Sequence, residues 1–435
     1  MRVYLQKFDN PEVQARCCAL FARSPKPLDE QATTATAEQS QEFARTYVAG
    51  YGHNSINDCG SVCAAVERVS MLAVKFVEDY PLFNGQETST RAIDFGAAPD
   101  AEALVSPFPE GDARLTLQRD LMAFYRDAVP IQRAFIAAES DIDLGTAVPA
   151  ARRAVAAKSF DILRGFLPAG CRTQLAWVTT LRQAADRIEM MLRHPLDEIR
   201  EVGRRLREAC LSAHPGAFHG LEKGSHVESA DAWYTDGFWA GYHYAPTPLP
   251  LNSVRVPPLG FGSARYAGRP ASKRVPALAD LRSEEIEVVQ RIDYGSWRDI
   301  HRHRNCTQAF PLLTAQEFEP FYLDNLAPGL RGRAEWLVRR AAAECRTDEQ
   351  FLDQYAIPMG FMVTYWAKWS VSQAAYVLEL RSRPTVHPTV RAMVRRIADA
   401  VMAAGGCPEI NCDWTDFPYT RRCNLPAVAQ AKGEA

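Results

Sequence analysis

Residues 83–93 read FNGQETSTRAI, and within them Glu87, Ser89 and Arg91 recur at every second position just after Gln86. In extended backbone, side chains two apart point to the same side, so an acid, a hydroxyl and a guanidinium would share one small volume. That trio suits a polar, anionic ligand such as a nucleotide. A solvated strand edge would carry the same alternation. Three further stretches hold comparable chemistry. In GHNSINDC, residues 52–59, Ser55 precedes Asp58 by three positions, a capping-box pattern that satisfies free N–H groups at a helix start. A helix start also favours phosphate, and His53 just before it is a titratable ring on a loop. In HRHRNCT, residues 301–307, extended backbone would set Arg302 and Arg304 on one side and His303 on the other, and guanidinium forks match phosphate oxygens. An exposed basic patch would look the same. Arg381, in LELRSR, closes a helical stretch where a cation complements the helix dipole with no further role required.

The chain that must position these groups has 435 residues, which implies two or three domains, and its 47% hydrophobic content is enough for a core. With 50 basic against 52 acidic side chains and a net charge of -2, no basic field favours nucleic acid or a membrane surface, so a small-molecule partner is expected. Eleven cysteines, scattered from Cys17 to Cys423 behind no charged-then-apolar leader, imply reduced thiols in a cytoplasm and no disulfides. Cys407, Cys412 and Cys423 lack a close pair and nearby histidines, so no metal site is expected. No apolar run approaches the ~20 residues of a membrane span.

Two stretches can be laid over each other. At an offset of 190, Pro168 falls on Pro358, Gly170 on Gly360, Gln183-Ala184-Ala185 on Gln373-Ala374-Ala375 and Arg193 on Arg383; one more residue of slippage sets Arg204-Arg205 on Arg395-Arg396. A repeat of this size is a whole domain. The expected organisation is a first copy at 1–235, a proline- and glycine-rich linker at 236–275 and a second copy at 276–435. Three- and four-residue apolar spacing argues for helices over 64–80, 115–138, 176–209 and 365–400, the last two overlying each other. Strands are expected at 1–9, 85–95 and 297–310. The class is α+β.

In this order the motifs resemble the flavin-dependent thymidylate synthases. That family reads Gly-His-x-Ser-x-x-Glu, then Arg-His-Arg running into Asn-Glu-x-Ser-x-Arg, then an arginine before Leu-Pro, then a helix with Asn-x-Arg and a later arginine. The first copy keeps Gly52-His53-Asn54-Ser55 with Asp58, then Gln86, Glu87, Ser89 and Arg91, and Arg164 before Leu167-Pro168. It has EDYPLF where Arg-His-Arg should stand, and Met191 at the late arginine. The second copy keeps Arg302-His303-Arg304 and Arg381, lacks Glu-x-Ser-x-Arg, and has Ser370 and Ser372 for an Asn-x-Arg whose arginine survives as Arg182. Each copy retains what the other lost.

The resemblance implies two tandem copies of that family's α+β fold, helix-rich with a small sheet in each, sharing one composite site. It further implies reductive methylation of a pyrimidine nucleotide such as dUMP, using methylenetetrahydrofolate, FAD and NADPH. The substrate would meet Gln86, Glu87, Ser89, Arg91, Arg164, Arg302 and Arg381. FAD would lie against Ser55, Asp58, Arg182, Asp186, Arg302, His303 and Arg304. His53 would sit near the pterin, and Arg381, Ser89 and His53 would carry the reaction, with Cys306 incidental. The mirror-image cleft, with Pro311 and Ser372 opposite Asp79, Tyr80 and Met191, is expected to be closed, apolar or vestigial. A homodimer of fused pairs would rebuild the family's four-subunit assembly. Hydroxymethyl transfer to a modified pyrimidine and noncatalytic nucleotide or flavin binding remain alternatives.

Overall fold

The structure is a computed structural model, described here for residues 4–222, 238–257, 284–347, 349–404 and 410–416. Residues 258–275 of the expected linker, and Cys407 and Cys423, lie outside the described residues. The first half of the chain runs through α1 (Pro11–Phe21), a 3-10 turn at Asn54–Cys59, β1 (Ser61–Ser70), α2 (Met71–Glu78), β2 (Phe83–Glu87), α3 (Ala113–Glu139), α4 (Pro149–Leu163), β3 (Arg172–Thr180), α5 (Leu181–Met191) and α6 (Asp197–Ala213). The second runs through β4 (Ser253–Arg255), β5 (Glu285–Asp293), α7 (Tyr294–His301), β6 (Thr307–Gln308), α8 (Arg331–Glu344), β7 (Met362–Ser370), α9 (Val371–Arg381) and α10 (Pro388–Ala403), shorter turns aside.

Contacts divide the chain into two compact units that are not its linear halves. The first comprises Met1–Val69, Ala73–Thr88 and Thr173–Gly241, and the second Ser70–Leu72, Ser89–Arg172 and Tyr242–Ala435. The sheet of the first half has the order β1-β3-β2, with β2 antiparallel to β3 and Glu87 opposite Leu175. That of the second half is antiparallel throughout in the order β4-β5-β7-β6. Its core is aromatic, with Tyr294, Trp297, Tyr365 and Trp369 buried.

The fold is α+β, as expected, and several expected elements change type. Residues 176–180 and 365–370 are strand, and the helices begin only at Leu181 and Val371. Trp177, Val178, Thr179 and Thr180 favour pleated backbone, and pairing with β2 and β5 decides a stretch whose apolar spacing reads as helix. Thr180 then caps α5 by accepting from Gln183 N at 3.3 Å, and Ser370 caps α9 by accepting from Gln373 N at 3.2 Å. The helix expected over 64–80 is strand to Ser70 and helix only from Met71, because Val62, Val66 and Val69 favour strand. Residues 4–8 form no strand, with Leu5 96% exposed. The strand expected over 85–95 stops at Glu87, and a turn follows in which Ser89 O accepts from Ala92 N and Ile93 N. The strand expected over 297–310 is helix as far as His301, where the Asp293 carboxylate caps α7 through Ser296 N at 2.8 Å, and strand only at Thr307–Gln308.

The offset of 190 recurs in the backbone. Ala169 N donates to Ile357 O at 3.0 Å and Met359 N to Leu167 O at 2.9 Å; Gly170 N donates to Tyr355 O at 2.9 Å and Gly360 N to Gly165 O at 2.7 Å. Each pair is its partner shifted by 190 in both donor and acceptor, around an antiparallel bridge between Pro168 and Pro358. Glycine is required here: a Cβ on Gly360 would meet the Phe318 ring at 2.5 Å and Gly165 O at 2.8 Å.

Candidate active site

Two short sequence repeats build the charged centre of the second unit. Asp161 and Arg164 are three residues apart across the end of α4, and Asp299 and Arg302 are three apart across the end of α7, a spacing that sets both side chains on one helix face. Asp299 gathers three guanidiniums. Its Oδ2 accepts from Arg164 Nη1 at 2.9 Å, its Oδ1 from Arg302 Nη2 at 3.1 Å, and its carbonyl from Arg381 Nη2 at 2.7 Å. Arg381 Nε also donates to His303 Nε2 at 2.7 Å. Arg91 closes on Asp161 with two bonds, Nε to Oδ1 at 2.5 Å and Nη2 to Oδ2 at 2.8 Å, and reaches Thr385 O at 3.1 Å. Thus Arg91 and Arg164 from the first half of the chain meet Arg302, His303 and Arg381 from the second.

Burial separates these arginines into two layers. The Arg164 side chain is 1% exposed and its second Nη donates to Ser296 Oγ at 2.8 Å, whereas Arg91 is 28% and Arg302 45% exposed. Behind Arg164, Asp293 accepts from Tyr322 OH at 2.6 Å and Thr389 Oγ1 at 2.7 Å. His387 Nε2 meets Asp161 O at 3.0 Å, so that nitrogen carries the proton and Nδ1 accepts from Ser296 Oγ at 3.3 Å, the Thr389 proton being held by Asp293.

Burial opposes the charge on Asp161 and Asp299, yet the guanidiniums, Arg91 for the first and Arg164 foremost for the second, hold both carboxyls well below their ordinary range. Burial, with Arg381 second, pulls His303 down to about 3, so the ring is neutral and accepts the Arg381 proton. Burial, with Arg164 second, likewise keeps His387 neutral. Four guanidiniums against two carboxylates leave an excess of two positive charges in direct contact; counting Asp293 leaves one. Such an excess attracts a phosphate. Cys306, whose thiol burial pushes up to about 12, stays protonated and is no nucleophile.

The other sequence-derived residues occupy different surroundings. In the first unit Arg182 Nε lies 2.9 Å from both Asp58 oxygens, Thr180 Oγ1 adds a bond to Asp58 at 3.2 Å, and Asp186 approaches Arg182 at 4.0 Å. Asp58, Arg182 and Asp186 therefore come together. Ser55 and Asp58 open no helix: the 3-10 turn leads into β1, and the Asp58 carboxylate goes to Arg182 because strand follows. His53 and Ser55 are exposed, and the His53 ring lies 6.3 Å from that of Tyr51. Gln86 is exposed on β2, while Glu87 Oε2 lies 2.8 Å from the buried Lys75 Nζ. The alternation of Glu87, Ser89 and Arg91 does not act as one row, because extended backbone ends at Glu87 and Ser89 Oγ caps Arg91 N at 3.2 Å. Arg304 is half-buried in the second unit.

Sequence reasoning missed Asp161, Asp293, Ser296, Asp299 and His387. The two Asp-x-x-Arg spacings were a visible signal; nothing in the sequence pointed to His387. Among the described residues no helix is long and apolar enough to cross a membrane.

Comparison with known proteins matches residues 5–216 to the family of thymidylate synthase complementing protein, Thy1. The chain is 22% identical over 424 residues to a "UPF0159 protein" of Chlamydia muridarum (strain MoPn / Nigg), covering 84% of this chain and 79% of that protein. A second "UPF0159 protein", from Chlamydia pneumoniae, is 22% identical over 433 residues, covering 87% of this chain and 82% of that protein. Thymidylate synthase X from Helicobacter pylori, solved with FAD and dUMP, is similar at 13% identity and a TM-score of 0.32 over 49% of this chain and 94% of that one. A UMP/dUMP methylase, PolB from Streptomyces cacaoi bound with 5-Br dUMP, is similar at 16% identity and a TM-score of 0.33 over 49% of this chain and 91% of that one. Residues 5–216 of the chain thus match the family of thymidylate synthase complementing protein, and the chain as a whole is similar to the two chlamydial proteins.

Proposed function

We propose that the chain, as a tandem fusion of two diverged copies, is a flavin- and methylenetetrahydrofolate-dependent enzyme that reductively methylates a pyrimidine nucleotide such as dUMP, with NADPH as reductant. The observation that carries this reading is the meeting of Arg91 and Arg164 with Arg302, His303 and Arg381 around Asp161 and Asp299. The local excess of positive charge fits a nucleotide phosphate. The Asp58–Arg182 pair, about one-third exposed and with Asp186 beside it, offers donors and acceptors that fit the polar groups of FAD.

Arg91 and Arg302, more exposed than Arg164, bind the phosphate and base, while the buried Arg164 holds Asp299 in place. Gln86, Glu87 and Ser89 orient sugar and base, and His53 lies by the pterin. Ser55, Asp58, Arg182 and Asp186 of the first unit, and His303 and Arg304 of the second, offer groups that fit FAD. Bound flavin supplies hydride and the folate supplies the one-carbon unit. Arg381 and Arg302 stabilise negative charge on the pyrimidine ring, a role whose removal commonly costs ~3–4 kcal/mol of barrier.

The test is the flavin absorption band at about 450 nm in purified protein, followed by dUMP titration. Arg91→Ala is expected to weaken dUMP binding and leave flavin bound; His303→Ala is expected to lose flavin first. A colourless protein that takes up no FAD, with dUMP affinity indifferent to Arg91, refutes the enzyme. Engagement of both Arg164 Nη groups, with Asp299 and Ser296, favours a second reading, a noncatalytic nucleotide-binding protein, and that reading stands if dUMP binds without flavin.

A further inference from the structure

The register of β6 on β7 repeats that of β2 on β3: Gly85 pairs with Trp177 and Gln308 with Ala367, positions 190 apart, so that by residue count Phe310, Leu312 and Thr314 correspond to Glu87, Ser89 and Arg91. Gln354 likewise takes the place of Arg164. Residues 311–316 line a cavity of about 940 Å³ within the second unit, inside the range of ~300–1,000 Å³ typical of ligand pockets.

Its lining is mixed: Pro311, Leu312, Ile357, Met362 and Tyr244 are apolar or aromatic, and Arg346, Thr347 and Gln350 are polar. Arg346 makes one hydrogen bond among the described residues, Nη2 to Ala315 O at 3.4 Å, so most of its five N–H donors are uncommitted. The nearest lining carboxylate does not cancel it: Asp353 is spent on Thr347 N and Oγ1, each at 2.9 Å, and on Arg114 Nη1 at 3.0 Å. Arg291, the other lining cation, pairs with Glu317 at 3.1 Å. The wall is also held in shape, since Leu313 N donates to the buried Gln354 Oε1 at 3.1 Å and Met362 N to Glu317 O at 2.8 Å. The cavity thus has Thr314 at the position that corresponds to Arg91, and Arg346 supplies a cation to its lining.

We propose that this cavity is a second, noncatalytic ligand site that takes a heteroaromatic anion of the nucleoside monophosphate class, its ring against the apolar lining residues and its anion on Arg346. The inference rests on reading residues 83–93 as a nucleotide-binding segment, and the experiment separates the two. Full-length protein is dialysed to equilibrium against labelled dUMP, with uncharged deoxyuridine as control. Wild type is expected to show two classes of dUMP site per chain and no deoxyuridine binding at the second. Arg346→Ala should weaken one class at least roughly tenfold, as expected for loss of a charge-assisted contact. Thr314→Trp, which narrows the cavity with Arg346 intact, should weaken the same class. Both variants should leave flavin content unchanged, and Arg91→Ala should remove only the other class. A single class abolished by Arg91→Ala and indifferent to Arg346→Ala and Thr314→Trp overturns the second site and leaves the proposed function standing. A single class abolished by Arg346→Ala and indifferent to Arg91→Ala supports the second site and refutes the proposed one. No dUMP binding at all overturns both.

Discussion

Replacing Asp299 by asparagine should destabilise the second unit by about 3–5 kcal/mol, the usual cost of leaving a buried ion without its partner. The figure follows from where the three guanidiniums sit. Arg164, 1% exposed and 2.9 Å from Asp299, has no solvent to turn to, and its remaining bond to Ser296 is to a neutral hydroxyl. Arg302 is 45% exposed, so its share is about 0–1 kcal/mol. Arg381 contacts the Asp299 carbonyl, which asparagine keeps. Against a total stability of ~5–15 kcal/mol this is a large fraction, and at ~2–4 °C per kcal/mol it lowers Tm by roughly 10 °C. Urea titration of the variant followed by intrinsic fluorescence measures the loss. Arg302→Ala should cost no more than about 1 kcal/mol, and Asp299→Asn combined with Arg164→Met should recover most of the loss, because removing both charges leaves neither unpaired. An Asp299→Asn variant within about 0.5 kcal/mol of wild type, or a double variant no better than the single one, would falsify the account of Asp299 as the clamp.

His303 titrates at about 3 in the folded state and near ~6.5 when unfolded, so the unfolded state binds the proton first as pH falls. Its contribution is therefore complete above about pH 6.5 and is lost between there and about pH 3; His303→Gln should flatten the stability profile in that window, and an unchanged slope would show that the ring is already solvated. Arg182→Ala should cost at most about 1 kcal/mol, since the pair with Asp58 is about one-third exposed, yet should remove the flavin absorbance; retained flavin assigns the pair a structural role. Gly360→Ala should destabilise by about 1–3 kcal/mol because its Cβ would overlap the Phe318 ring, whereas Gly332→Ala, with open space around it, should be neutral in denaturant titrations.

Much of the chemistry was legible in the residues themselves. The 190-residue period is written in side-chain identity, and it reappears in the caps at Thr180 and Ser370 and in the paired backbone bonds about Pro168 and Pro358. The division of arginines between the two halves was equally visible, because it is a matter of which residue types survive at which spacing. Element type was less so. Residues 176–180 carry apolar spacing compatible with either backbone, and only pairing with β2 makes them strand. The same holds for the Glu87, Ser89 and Arg91 row, whose common face needed extended backbone that ends at Glu87.

What tertiary structure alone decided is how each charge is used. The spacing Asp299-x-x-Arg302 is local, but the guanidinium that Asp299 holds most deeply is Arg164, 135 residues away, and Arg91 reaches Thr385 over 294. Local sequence sets propensity, caps and periodicity because these involve neighbours within a few residues. Which arginine is buried to hold a carboxylate, and which is left more exposed for a ligand, depends on what packs over it. That is settled only when segments hundreds of residues apart share one core.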